Sequence, residues 1–263
     1  MRRWFIPASP VPQGPNHDLP GESRYVSRSR LEEGLVLCMD GVGGYDWLPR
    51  LLRRGLEQGG VKAAIVIYHW SLGPLGFWVG DLVARRRNRQ GARELAATIA
   101  AYRAWMPGRP VTLIGHSGGA AMAAWALEEL PEGTVVDRAL LLAPALSGRY
   151  NLARALRGIR DRLYVTCSCL DIGLLGLGTL VFGTMDGRHA PSAGLTGLRE
   201  PRGLGAADRQ AYGKVRQIAW RPGMVRHGHF GDHTGCTNVR FSRRVLAPIV
   251  LALADPGEPL EKA

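Results

Sequence analysis

The feature that most restricts the fold is an alternation. Short apolar runs of strand character fall at 35–39, 63–68, 111–114, 139–142, 163–166 and 215–220. Helical patterns occupy 47–58, 89–105, 120–130 and 152–160, and another, 241–253, precedes a polar tail with Pro256 and Pro259. A strand covered on both faces has no polar side to show to water, so it reads as an unbroken apolar run. Runs of that kind separated by helices predict an α/β domain with a mostly parallel central sheet and helices on both faces. Ligands of such sheets bind at the carboxyl ends of the strands, so the residues just after each run matter most. Residues 1–22 are rich in proline and polar groups without a period and read as an extended or disordered arm, leaving 23–263 as one folded domain.

Composition excludes several classes. The net charge of +12 comes almost wholly from arginine, lysine occurring only at 62, 214 and 262. Such a field attracts nucleic acid, anionic membrane or acidic substrates without choosing among them. The arginine runs (Arg2-Arg3, Arg53-Arg54, Arg85-Arg86-Arg87, Arg243-Arg244) are scattered, as a merely solvated surface would have them. No RNA-binding aromatic motif or zinc-finger spacing accompanies them, so no specific nucleic-acid partner is expected. Four scattered cysteines make no disulfide scaffold, and reduced thiols point to a cytoplasmic protein. Trp4-Phe5-Ile6 is too short for a signal peptide. No apolar run is long enough for a membrane span. The closest approach, 172–182, is broken by three glycines and reads as a buried or lip-forming segment.

One strand end carries a chemical signature. After Val111-Thr112-Leu113-Ile114 comes Gly115-His116-Ser117-Gly118-Gly119, then an alanine-rich helix. This fits G-x-S-x-G, a strained strand-to-helix turn that points a serine hydroxyl out of the sheet. A side chain at either outer glycine would collide with the neighbouring strand or helix. The start of the helix favours negative charge beside the serine.

With this turn in that setting, the chain resembles the α/β-hydrolase superfamily, serine hydrolases of lipase and esterase type, over residues 34–253. The resemblance implies an α/β-hydrolase fold and cleavage of a carboxylic ester through an acyl-enzyme on Ser117, with no metal or organic cofactor. The run 35–39 leads into Asp40-Gly41-Val42-Gly43-Gly44, similar to the family's HG-x-GG-type loop with Asp40 where histidine often stands. The implied oxyanion donors are the backbone N–H groups of Val42 and Gly118. Because those are main-chain groups, the change at Asp40 bears on loop support rather than on the donors. A dinucleotide fingerprint would need glycine at Asp46, and that reading fails.

The family order is serine, acid, histidine. Asp171 follows the run 163–166 and is the preferred acid, because a strand end holds a side chain more rigidly than a loop; Asp186 is the competitor. The loop His227-Gly228-His229-Phe230-Gly231-Asp232-His233 lies where the family places its base, with His233 preferred and His229 second. The same cluster, with Cys236 as a soft ligand, resembles a zinc motif of metallo-β-lactamase-fold hydrolases, but its spacing is one residue too long and little chain follows for further ligands. The interval from Leu142 to Leu163 leaves no room for a large cap between the family's strands 6 and 7. Residues 173–183, 195–204 and 70–78 are apolar segments placed to line the site or to pack on each other. They suit a small ester or lipid substrate and peripheral contact with an anionic membrane. Thioesterase, acyltransferase or peptidase chemistry would use the same residues, and a non-catalytic protein of this fold binding anionic partners is the alternative of another class.

Overall fold

The computed structural model describes residues 24–44, 46–73 and 78–260; the arm expected over 1–22 lies outside them. All six apolar runs form strands: β1 (Leu35–Met39), β2 (Ala64–Ile67), β3 (Val111–His116), β4 (Val136–Leu142), β5 (Ile159–Cys167) and β6 (Val215–Ala219). They pair in parallel in the order β2-β1-β3-β4-β5-β6. Every residue of β1, β2 and β3 is buried, as continuous apolar runs require. A seventh strand, β7 (Glu258–Pro259), lies antiparallel on β6 with Gln217 opposite Glu258 and Arg216 opposite Pro259. The polar tail is therefore partly built into the sheet, and Tyr164 Oη donates to Asp255 just before it.

The first helices in the chain are α1 (Arg28–Glu33), α2 (Trp47–Gln58), α3 (Trp78–Val83), α4 (Arg85–Trp105), α5 (Gly118–Glu128) and α6 (Ala153–Arg157). The pattern expected over 152–160 stops at Arg157, because Ile159 pairs with Val136 and opens β5. Between β4 and β5 stands only α6, so no cap interrupts the chain there. α5 packs between α4 and α6, α2 packs on the last helical stretch, and both α5 and α2 reach β1. The last stretch runs through Val239–Phe241, a wider turn over Ser242–Leu246, and Ala247–Val250. No helix among the described residues is long and apolar enough to cross a membrane.

The contact between α2 and the last helix is made backbone to backbone. A Cβ at Gly55 would stand 2.6 Å from the Val239 carbonyl oxygen and overlap the Ser242 side chain. In an open helix, replacing glycine by alanine stabilises by about 1 kcal/mol. Here the overlap reverses the sign, and Gly55→Ala is expected to lower the unfolding free energy by about 1–3 kcal/mol in urea denaturation.

Candidate active site

Ser117 sits at φ 53°, ψ −116°, between β3 and α5, a conformation open to a non-glycine residue only under strain. Two glycines allow the chain to turn there. A Cβ on Gly115 would stand 2.6 Å from Ala120 Cα, and one on Gly119 would stand 2.7 Å from the Met39 carbonyl oxygen. β3, the end of β1 and the first turn of α5 are therefore in backbone contact. Ser117 N–H donates to the Leu142 carbonyl at 2.8 Å, and the Ala145 N–H returns a bond to the Ser117 carbonyl at 3.2 Å. The turn is held from the ends of three adjacent strands. Ser117 is 7% exposed.

Asp171 and His233 come together from opposite ends of a long stretch of chain. Asp171 follows β5 in a turn closed by its own N–H on the Ser168 carbonyl, and Ser168 Oγ reaches across to donate to the Gly231 carbonyl at 2.7 Å. That bond ties the acid's turn to the histidine loop. His233 Nδ1 lies 2.6 Å from Asp171 Oδ2. Burial pushes His233 below the ordinary imidazole value of 6.5; Asp171 opposes this, and the neighbouring His116 adds to it. A neutral ring with Nδ1–H held by a carboxylate leaves Nε2 as a proton acceptor. Ser117 Oγ and His233 are not hydrogen-bonded to each other, and the His233 ring rests beside His116 with centroids 4.8 Å apart. Such bonds are commonly longer in an unliganded site than in the reacting complex.

The alternatives are occupied elsewhere. Asp186 accepts from Ser147 N–H and Oγ and from Thr184 Oγ1, joining two loops. His229 is buried edge-on to Phe241, at 5.0 Å between centroids, and its Nδ1 accepts from Gly231 N–H. Burial lowers its pKa. His227 is bonded to Arg226. The three histidine rings thus face different neighbours, and among the described residues no three side chains of metal-ligating type converge.

His116, the variable residue of the motif, is a participant that the sequence did not reveal. It is 3% exposed, its Nε2 lies 3.0 Å from the His233 carbonyl, and its Nδ1 faces Asp40 Oδ1 at 3.6 Å. At that separation the Asp40 contact is an ion pair without a hydrogen bond, leaving His116 Nδ1 and Asp40 Oδ2 without hydrogen-bond partners. Burial alone would lower His116, but the Asp40 carboxylate facing it acts in the other direction and raises the ring above its ordinary value. Through Nε2–H, His116 donates to the His233 backbone carbonyl and so braces the histidine loop. Asp40 stands beside the His116 ring as its counter-charge.

The loop after β1 approaches the start of α5: a Cβ on Gly118 would stand 2.9 Å from Val42 Cγ1. Gly118 N–H, in the first turn of α5, has no acceptor within the helix. The loop is fastened from behind. Asp40 Oδ1 accepts from Gly41 N–H at 2.7 Å, and the Asp40 carbonyl accepts from Trp70 Nε1 at 2.7 Å. Asp81, completely buried in α3, accepts from Gly43 N–H at 2.9 Å, Leu72 N–H at 3.0 Å and Ser71 Oγ, and pairs with Arg87 at 2.8 Å. One carboxylate thereby joins the loop after β1 to the segment after β2. Asn cannot accept at both positions and leaves Arg87 without its counter-charge. Asp81→Asn is expected to cost about 1–3 kcal/mol in denaturant unfolding and to speed hydrogen exchange at the Gly43 and Leu72 amides.

No protein-family model and no curated protein sequence matches the chain. Solved structures do. A lipase-esterase related protein from Clostridium acetobutylicum aligns with TM-score 0.40 and 12% identity over 84% of this chain and 95% of its own. An esterase from Pyrococcus furiosus aligns with TM-score 0.46 and 11% identity over 84% and 83%. Est1E from Butyrivibrio proteoclasticus aligns with TM-score 0.43 and 8% identity over 83% and 87%. These likenesses are loose, and the assignment comes from the molecule itself: a parallel sheet of this strand order, turning at a strained serine after β3, is the α/β-hydrolase fold.

Proposed function

We propose that the chain hydrolyses carboxylic esters through an acyl-enzyme on Ser117. The observation that carries this reading is the 2.6 Å bond between Asp171 and His233, on the same edge of the sheet as the strained Ser117 turn. In the first half-reaction Ser117 Oγ attacks the acyl carbon while His233 Nε2 takes its proton. Asp171 holds the ring's Nδ1–H and stabilises the imidazolium. The N–H groups of Val42 and Gly118 stabilise the charge on the carbonyl oxygen. His233 then gives its proton to the departing alcohol. In the second half-reaction His233 takes a proton from water, the hydroxide attacks the acyl carbon, and the carboxylic acid leaves as Ser117 recovers its proton. Free thiols at Cys38, Cys167, Cys169 and Cys236 support a reducing, cytoplasmic setting.

Labelling with a fluorophosphonate probe tests the reading. Label is expected on the native chain, none on Ser117→Ala, and a rate lowered by about a thousandfold or more in His233→Ala. A folded native chain that takes no label would overturn it. The labelling rate is expected to rise with pH through a midpoint below 6.5, because His233 must be neutral and burial favours its neutral form. Replacing His116 by Gln removes a neighbouring positive charge, so the same midpoint is expected to move upward.

A further inference from the structure

From Ile172 to Met185 the chain carries no charged residue. Its helical part, Gly173–Gly178 running into Thr179–Phe182, is apolar on both sides. Leu175, Gly176 and Thr179 are buried, while Ile172, Leu174, Leu177, Leu180 and Val181 are exposed, Leu177 at 62% and Val181 at 65%. Leu170, lying against Gly231, and the exposed Phe230 extend the patch. A contiguous hydrocarbon surface of this kind marks a contact site.

Cations stand at one end of the ridge. Thr184 N–H donates to the Arg188 carbonyl at 2.8 Å and the His189 ring meets the Leu180 carbonyl at 3.0 Å, so this loop folds back beside the ridge. The Arg85 guanidinium lies against Gly187 in the same loop. Arg85 and Arg188 are exposed, and neither belongs to an ion pair among the described residues. The loop's own carboxylate, Asp186, is turned to Ser147 and Thr184.

We infer that this ridge docks on an anionic lipid surface, with Leu174, Leu177 and Phe230 entering the acyl boundary and Arg85 and Arg188 meeting phosphates. Exposed leucine flanked by arginine is the chemistry of an interfacial helix. A second copy of the chain is a poor occupant, since it brings another +12 and the same arginines against like charge. The ridge begins one residue after Asp171. Docking therefore sets the mouth of the site at the lipid surface. Resting on the ester-hydrolase reading, this makes the substrate a lipid ester drawn from that surface.

The test is co-flotation of the full chain with phosphatidylcholine vesicles, with and without phosphatidylglycerol. Binding is expected only where phosphatidylglycerol is present, and it should weaken with salt. Leu174→Ser with Leu177→Ser should lower it about tenfold or more. Arg85→Gln with Arg188→Gln should lower it about fivefold per arginine. Unchanged unfolding midpoints would show that both variants are folded. The inference is overturned by absence of flotation, by equal binding to uncharged vesicles, or by a leucine variant that floats like the native chain. A native dimer that the leucine variant dissolves, without lipid binding, also overturns it and makes the ridge a self-contact. Fluorophosphonate labelling in solution is read separately. Flotation without labelling sinks the hydrolase reading and leaves docking intact; labelling without flotation does the reverse.

Discussion

Everything at the site depends on how closely the first turn of α5 approaches β1 and β3. Gly115 and Gly119 supply that approach by having no side chain to keep the backbones apart. The approach fixes the strained turn at Ser117, and the turn in turn places Gly118 N–H beside the loop after β1. α5 continues the same logic, since all of Gly118–Glu128 is buried and most of it is glycine or alanine. A helix with a bulkier face would stand farther from the sheet, and the serine would lose its support from Leu142 and Ala145.

Around this contact the molecule uses buried charge as a fastener. Asp81 gathers amides and a hydroxyl from two loops, and Asp40 with His116 braces the histidine loop through a backbone carbonyl. Both arrangements place a carboxylate opposite a cation, Arg87 in one case and His116 in the other. Buried charges are tolerable only when paired in this way. Several arginines that the composition suggests are surface solvation serve the interior instead: Arg103 and Arg160 both reach Asp137, and Arg53 stacks on Tyr25.

The strands were legible because burial on both faces leaves a run of apolar residues, and the serine turn was legible because its glycines are sterically required. Asp171 and His233 were expected from a strand end and from the order that the family resemblance implies, and the fold brings the two side chains within 2.6 Å of each other. The readable part ended where polar residues are buried. β4 starts at Val136, earlier than hydrophobicity suggests, because Asp137 is hidden by bonding to Val111 N–H and two arginines. α4 starts at Arg85 within a run of arginines that carries no apolar period. Asp81 and His116 were invisible as site residues, since their partners lie on segments that only the folded sheet brings together. Of the lining segments, the stretch after Ala193–Thr196 is pinned by Leu198 N–H on Gln217 and Arg199 N–H on the Gly148 carbonyl, so it packs rather than overhangs.

The two-residue β7 has a consequence for how the protein keeps company with itself. An uncovered β6 would offer a row of free amides and carbonyls to any passing extended chain. β7 occupies part of that row, and Pro259 at its end has no N–H with which to recruit another strand. Gly257 makes the approach possible, since a side chain there would strike the Gln217 carbonyl. The tail thus acts as a selvedge, finishing the sheet so that it does not unravel into, or grow onto, its neighbours.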